Sequence, residues 1–309
     1  MVTSEVLDRA PTTLARSLAR RLVDLLWLAV GYAVYAGVRQ LHGVDESRAA
    51  YERAVDNART VVEVQRFLQM PSEAALQRPL LDHEGVLIAI GGFYGAAHFL
   101  VTFGVLLWLM LWRSYAYAYW RNVLGAVTAV AVGLFALYPT APPRLLPDGD
   151  PERTVDTLAT VGGLWSYNSG VLERISDPFA AMPSLHMGWA MWVAVAVYAS
   201  RRDPHGRGSR RRAVACGVYP VLTFVSVLAT GTHWILDAVA GIALVLAVAA
   251  VAVVLAGLPG RSEEAASGMA SESRAAESRA AEFAAVEFPA TTAETLAEES
   301  VHTPPPRLH

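Results

Sequence analysis

The amino-acid sequence predicts an all-α, polytopic membrane protein with six transmembrane helices. Its apolar residues lie in long blocks rather than at the short spacing of a soluble core. Several uncharged blocks approach the ~20 residues that a helix needs to cross the hydrocarbon layer. Arginines cluster at the ends of these blocks, and the sequence contains no lysine. The lack of lysine excludes Schiff-base chemistry and any phosphate site built on an ammonium group.

The N-terminal segment, residues 1–84, is predicted to hold the first span and an outer loop. The first span, 22–38, follows a polar stretch that ends in Arg20 and Arg21. A cleaved signal peptide is the alternative interpretation of this block. Residues 39–84 are charged and mixed, and helical spacing around 61–70 predicts a surface or interfacial helix there.

Residues 85–258 are predicted to form the catalytic membrane domain, and residues 259–309 a cytoplasmic tail. The five spans of the domain are expected at 85–112, 122–138, 183–200, 213–232 and 234–258. A proline-rich run ends the third span because proline cannot continue the helical hydrogen bonds. The tail is rich in Ala, Glu and Ser and cannot bury much apolar area, so we expect it to be disordered.

The distribution of arginine predicts the orientation of the protein in a cell membrane. Six arginines lie in the short loop 201–212, which the positive-inside rule places in the cytoplasm with both termini. The loops 39–84 and 139–182 and the turn near 232 then face the non-cytoplasmic side. Several tryptophans lie near span ends and are expected to anchor the helices at the headgroup level: Trp27, Trp108, Trp112, Trp120, Trp189 and Trp234.

Three polar clusters fall at the predicted outward ends of spans. They comprise Arg144, then Ser184 with His186, then His233 with Asp237. Ionisable groups at such depths are costly and usually face a polar cavity with a function. Their shared depth therefore predicts one active site on the non-cytoplasmic side.

The pair His233 and Asp237 has the spacing of neighbours on one helix face. The carboxylate can then accept a hydrogen bond from one imidazole nitrogen and leave the other free to attack. On a soluble helix the same spacing more often marks a solvated or capping pair.

The segment 183–186 begins a helix with a proline, so its N–H groups and the Ser184 hydroxyl are available to an anion such as phosphate. His186 is placed to protonate a departing alkoxide. An N-cap with an interfacial histidine is the simpler alternative. The planar guanidinium of Arg144 can bind two phosphate oxygens, although alone it could equally anchor the chain at the interface.

These residues resemble the type 2 phosphatidic acid phosphatase (PAP2) superfamily, particularly its inositol phosphorylceramide synthase-like branch. The similarity rests on residues 138–144 (YPTAPPR), 181–189 (AMPSLHMGW) and 231–237 (GTHWILD). It implies a PAP2-like helical-bundle core in which His233 is the nucleophile, Asp237 orients it and His186 is the general acid. Ser184 and Arg144 would hold phosphate, and neither a metal nor another cofactor is implied.

The sequence departs from the wider superfamily at two positions. The lysine seven residues before the first-motif arginine is Leu137 here, and the arginine six residues before the third-motif histidine is Val227. Two cations expected around phosphate are therefore missing, which favours a less charged phosphate, such as a diester, or a replacement such as Arg174. The synthase-like branch is similar in this respect, which favours transfer.

The function predicted from the sequence is a lipid-phosphate phosphatase or phosphotransferase with a phosphohistidine intermediate. Its substrate would be a lipid or prenyl phosphate, with an alcohol as possible acceptor and no nucleic-acid partner. A vanadate-dependent haloperoxidase-like enzyme and a non-catalytic lipid-binding or transport protein are the alternatives. His98 is a lone histidine inside a span, which is more often a buried hydrogen-bonding residue than a catalytic one.

Overall fold

A computed structural model describes residues 48–161, 178–200 and 209–256, together with Arg274 and Ser278. The predicted span 22–38, the residue Arg174 and nearly all of the predicted tail lie outside these residues. Within the described ranges the regular structure is helical, and β-pairing is limited to one isolated bridge between Thr140 and Ala180. The all-α prediction is confirmed for this part of the chain.

Eight α-helices are described. They are α1 (Arg48–Phe67), α2 (Glu73–Gln77), α3 (Glu84–Trp112), α4 (Ser114–Leu137), α5 (Thr157–Thr160), α6 (Leu185–Ser200), α7 (Ser209–Ala229) and α8 (Ile235–Ala256). Short 3₁₀ turns at Arg78–Leu80 and Pro143–Leu145 connect α2 to α3 and begin the loop after α4.

Four of these helices are long and apolar enough to cross a membrane. The segments concerned are Glu84–Trp112, Tyr115–Leu137, Arg211–Ala229 and Ile235–Leu255. Helix α6 corresponds to the fourth predicted span, 183–200, but its 16 residues rise only about 24 Å, less than the hydrocarbon thickness. The described residues therefore support four spans rather than six.

Helix α4 begins earlier than its sequence predicts. The third span was expected from residue 122 because Arg121 was taken as its boundary, yet the helix begins at Ser114. The Arg121 guanidinium lies 5.5 Å from the centre of the Tyr117 ring on the same helix. A long arginine side chain can extend along the helix surface towards water, so it does not have to end the helix.

Hydrogen bonds between helices show which ends lie together. Near the start of α4, the Tyr115 hydroxyl donates to the carbonyl of Ser200 at 2.8 Å and the Tyr119 hydroxyl to that of Ala249 at 2.9 Å. The start of α4 therefore lies beside the end of α6 and the later half of α8. Helix α4 runs antiparallel to both, so its end lies near their beginnings.

Two apolar clusters stabilise the bundle. One joins α3, α4, α6 and α8 away from the motifs, around the buried side chains of Leu109, Val127 and Trp192. The other packs the apolar face of α1 onto the motif segments, and its members are Ala54, Val55, Ala58, Val61, Val62, Ala141, Leu146, Ala181 and Trp234. Helix α1 thus begins and ends earlier than the helix expected around 61–70, and it covers the motifs.

Candidate active site

The three motif segments predicted from the sequence meet at one end of the bundle. The first and third are joined by the N–H of Arg144, which donates to the carbonyl of Gly231 at 3.2 Å. They are joined again by the Trp234 indole, which donates to the carbonyl of Ala141 at 2.9 Å. The N–H of Ser184 donates to the carbonyl of Asp237 at 2.9 Å and so joins the second to the third. The predicted convergence of the three clusters is present in the structure.

Two glycines permit these close approaches. Gly231 has a positive φ of 66°, and a β-carbon there would overlap the hydroxyl of Thr154. A β-carbon at Gly241 would overlap the carbonyl oxygen of Ser184, where α8 crosses the beginning of α6. Glycine at these positions therefore lets the third motif lie against the loop after the first motif, and lets α8 lie against the beginning of α6.

His233 has its protonation pattern set by a backbone carbonyl. Its Nδ1 lies 2.9 Å from the carbonyl oxygen of Ala181 in the second motif. A carbonyl oxygen only accepts hydrogen bonds, so this contact requires the proton on Nδ1. In the neutral imidazole the Nε2 atom then carries the lone pair, as a nucleophile needs.

Asp237 contacts His233 less directly than its spacing predicts. His233 lies before α8 rather than on it, and its Nδ1 is 3.6 Å from Oδ2 of Asp237, too far for a hydrogen bond. The same Oδ2 accepts the N–H of Trp234 at 2.8 Å, which is the capping contact of a third helical residue with the residue before the helix. Asp237 therefore caps the helix while its charge stays close to the imidazole.

His186 lies beside His233 at the predicted position. The centres of the two imidazole rings are 5.6 Å apart, with an interplanar angle of 61°. Both histidines precede or begin helices that start at this end of the bundle. A phosphoryl group attacked by one ring would therefore lie within reach of the other.

His98 also lies in the site, although its sequence context favoured a structural role. Its ring centre is 4.3 Å from that of His186 and 4.3 Å from that of Trp189. Its Nδ1 is buried and makes no hydrogen bond with the residues described here. The hydrogen-bonding role expected of a lone buried histidine is thus not observed.

Ser184 is buried and occupies the position before α6. Its Oγ accepts the N–H of Met187 at 3.3 Å, which is an N-cap contact. This contact agrees with the simpler alternative for residues 183–186, in which the serine is an N-cap. A hydroxyl group that accepts one hydrogen bond can still donate its own proton to another acceptor. Binding of a phosphate oxygen by Ser184 is compatible with its capping contact.

Arg144 is buried and its guanidinium pairs with Asp156. The Nη1 atom contacts Oδ2 of Asp156, while Oδ1 of the same carboxylate accepts the N–H of Ala159 and caps α5. Sequence reasoning did not identify Asp156, because no spacing rule relates two loop residues twelve positions apart. The carboxylate orients the cation that is predicted to hold phosphate.

Residues from the predicted outer loop cap the helix that carries Asp237, and sequence reasoning missed them. The N–H of Ile235 donates to Oε1 of Glu73 and that of Leu236 to Oε1 of Gln65, both at 2.8 Å. Burial raises the pKa of the Glu73 carboxyl above its usual value. A signal existed in the sequence, because Gln65 continues the apolar stripe of Val61 and Val62 at helical spacing.

Gln77, also from the predicted outer loop, hydrogen-bonds to two other segments of the chain. Its Nε2 donates to the carbonyls of Val155 at 2.8 Å and Ala229 at 3.0 Å, and its Oε1 accepts the N–H of Val155. The side chain therefore joins the loop after the first motif to the end of α7.

The prediction that the tryptophans are interfacial anchors is wrong for three of them. Trp120 and Trp234 are buried, and Trp189 is part of the ring cluster at the site. Their indoles are used to pack helices or join motifs, a role that proximity to a span end does not reveal. Trp112, in contrast, is 63% exposed, and Trp27 lies outside the described residues.

Comparison with protein families supports the assignment that the motifs suggest. The family model described as the PAP2 superfamily matches residues 59–251, which include α1 from its middle as well as all three motifs. Comparisons with curated proteins and with solved structures give no match. The superfamily generally comprises phosphatases and phosphotransferases that act on lipid phosphates. The matched region covers more than half of the chain, and the protein therefore belongs to the PAP2 superfamily.

Proposed function

We propose that the protein is a membrane enzyme that cleaves or transfers a lipid phosphate ester through a phosphohistidine at His233. The observation that carries this proposal is the contact between Nδ1 of His233 and the carbonyl of Ala181, since in the neutral imidazole it places the lone pair on Nε2. His186 lies next to that ring, and the helices around both are long enough to cross a membrane. A binding protein would have no need for this arrangement.

In the first half-reaction, Nε2 of His233 attacks phosphorus and the bond from phosphorus to the leaving oxygen breaks. His186 gives its proton to the leaving alkoxide, a step that a positioned acid typically accelerates by roughly 10²–10⁴-fold. The positive charge that develops on His233 is stabilised by Asp237, whose Oδ2 is 3.6 Å from Nδ1. The products are an alcohol and a phosphorylated histidine.

In the second half-reaction, water or an alcohol attacks phosphorus and the bond to Nε2 breaks. His186, now neutral, takes the proton of the attacking hydroxyl and returns to its starting state. Water gives hydrolysis and an alcohol gives transfer, so both activities share the first half-reaction.

The charge around the site favours a phosphate diester as substrate. Among the residues that the structure describes, Arg144 is the only buried arginine. The two positions at which the wider superfamily has cations carry Leu137, whose side chain is 82% exposed, and Val227, which is fully buried. A diester has one negative charge and needs fewer cations than a monoester, so we propose activity like that of the inositol phosphorylceramide synthase-like branch.

The roles of the two histidines are tested by comparing substrates with poor and good leaving groups. Purified protein is incubated with phospholipids and prenyl phosphates, with and without alcohol acceptors, and with an aryl phosphate ester, and products are identified by mass spectrometry. On the lipid, His186→Ala should lose roughly 10²–10⁴-fold in kcat. On the aryl ester, the rate at which the aryl alcohol is released in the first turnover should recover much of that loss, because an activated leaving group departs without a proton.

His233→Ala provides the comparison, since it should be inactive on both substrates for lack of a nucleophile. Asp237→Asn should be slow rather than inactive, because it keeps a capping oxygen but loses the charge. Recovery of His233→Ala, rather than His186→Ala, on the aryl ester would require the two roles to be exchanged.

A further inference from the structure

The orientation of His186 has no explanation in hydrogen bonding. None of the described residues hydrogen-bonds its imidazole, whereas His233 is held by the carbonyl of Ala181. Two ring faces enclose His186 instead. Tyr94 stacks on it with a centroid distance of 4.3 Å and an angle of 19°, and His98 lies 4.3 Å away at 36°.

His98 is itself held by stacking. The indole of Trp189 lies 4.3 Å from its ring centre at an angle of 13°, and Phe99 packs edge-on at 4.9 Å. Because Nδ1 of His98 is buried without a hydrogen bond, ring contacts are what fix this side chain. Trp189 is in turn fixed by its indole N–H, which donates to the hydroxyl of Thr128 on α4 at 3.1 Å.

The four side chains Tyr94, His186, His98 and Trp189 therefore form one series of ring contacts, stacked at both ends and tilted between the two histidines, which we name the ring column. It connects the second motif to α3, a helix that lies outside all three motifs. Stacked aromatic pairs prefer defined distances and angles, so the column restricts rotation of each ring within it.

We propose that His98 is a positioning residue that orients the His186 imidazole through the close contact between their rings. This inference rests on the proposed function, in which His186 carries the transferred proton. A general acid must keep its nitrogen within hydrogen-bond reach of the leaving oxygen, so a freely rotating imidazole would be a poor acid. The ring of His98 thus restricts rotation of the His186 imidazole, as the carbonyl of Ala181 restricts rotation of the His233 imidazole.

Packing alone would predict a different outcome when the side chain is changed. If His98 only fills space between helices, its loss should lower stability and reduce activity on every substrate alike. If His98 acts through His186, its loss should lower activity only in reactions that need the proton carried by His186. The two readings can be separated by combining substitutions.

The decisive experiment is a double-mutant cycle with His98→Leu and His186→Ala. Leucine keeps much of the volume but removes the ring face. In the wild-type background, His98→Leu should lower kcat on the lipid by roughly 10- to 100-fold and leave the first-turnover release of the aryl alcohol from the aryl ester nearly unaffected. In the His186→Ala background it should cause no further loss, since residues that act as a unit are not additive.

Two further variants complete the experiment. His98→Phe keeps a ring face and should restore most of the kcat lost in His98→Leu. His83→Leu alters an exposed histidine that directly precedes α3, the helix that carries His98. This control should leave kcat unchanged on both substrates.

Additive losses in the double mutant, equal losses on both substrates or failure of phenylalanine to restore kcat would each overturn the proposal. Failure of the proposed function would be recognised separately. In that case the wild-type protein would turn over no phosphate ester, or His186→Ala would lack its dependence on the leaving group.

Discussion

The two histidines at the site are held by contacts of different kinds. His233 is fixed by a hydrogen bond to a carbonyl, and His186 is enclosed between two ring faces. The sequence allowed both histidines to be located, because each lies in a short motif beside other polar residues. It could not show how they are held, since the carbonyl of Ala181 and the ring of His98 belong to segments far away in the chain.

Arg144 provides a test of phosphate binding at a single residue. Arg144→Lys keeps the positive charge but removes the planar group that can bind two oxygens and pair with Asp156 at once. We expect kcat/KM to fall roughly 10- to 100-fold, because a hydrogen bond to a charged group contributes about 1.5–3 kcal/mol. Steady-state kinetics on the preferred lipid measure this loss.

Arg153→Lys is the matched control. Arg153 lies in the same loop and pairs with the exposed carboxylate of Asp148, so its replacement should leave kcat/KM near the wild-type value. Wild-type kinetics in a folded Arg144→Lys protein would remove Arg144 from the phosphate site.

At the level of elements, the beginning of α8 depends on another part of the chain. Three backbone N–H groups at this end donate to side chains. One of the acceptors, Asp237, lies on α8 itself, whereas Gln65 lies on α1 and Glu73 on α2. A helix terminus otherwise leaves such groups unsatisfied. Gln65 and Glu73 both lie within the region matched by the family model, which begins at residue 59.

Removal of Glu73 should weaken this end of the bundle. Glu73→Ala leaves the buried N–H of Ile235 and the amide of Gln65 without their acceptor, which costs about 1–3 kcal/mol. We expect a lower Tm in detergent and lower activity, measured by thermal unfolding and kinetics. Glu63→Ala on the exposed face of α1 is the control and should change neither.

The stability due to Glu73 should also depend on pH. Burial raises the pKa of its carboxyl in the folded protein above the usual value of 4.5. Between that value and the raised one, only the folded state holds the proton, so stability falls as pH rises. Glu73→Gln keeps the acceptor oxygen but has no ionisable carboxyl. As pH rises, the Tm of this variant should therefore fall less than the Tm of the wild-type protein. Parallel Tm profiles for the two proteins above pH 4.5 would contradict the assignment.

Most helices could be predicted from sequence, whereas their ends and partners could not. The block 85–112 predicts α3 to within one residue, because an apolar run of that length has few other structures available. The predicted start of α4 is too late by eight residues, because Arg121 was interpreted as the boundary of the membrane span, whereas the helix begins at Ser114. Helix α1 was recognised only in part, since its apolar stripe contains Gln65 and its buried face contacts motifs that are distant in sequence.

At the scale of the whole molecule, the site lies at one end of the bundle and several arginines lie at the other. Arg113 and Arg121 flank or begin α4, and Arg211 and Arg212 begin α7. We propose that this second end faces the cytoplasm, in accordance with the positive-inside rule. The site would then face the non-cytoplasmic side.

Cysteine labelling tests this orientation. The only native cysteine, Cys216, is replaced by serine, and single cysteines are introduced by Asp148→Cys near the site and Arg211→Cys at the opposite end. An impermeant thiol reagent applied to intact cells should label the cysteine at 148, whose native side chain is 96% exposed. Labelling at 211 should require permeabilised cells, and the reverse pattern would invert the proposed orientation.

A phosphorylated histidine is the central intermediate of the proposed mechanism. A substrate radiolabelled at phosphorus is mixed with protein, turnover is quenched in alkali, and acid-labile label is mapped to a peptide. We predict label on His233, none in His233→Ala, and accumulation on His233 in His186→Ala supplied with the aryl ester, because the second half-reaction then lacks its base. Label on His186, or rapid product formation by the wild-type protein with no labelled histidine at any time, would contradict the proposed mechanism.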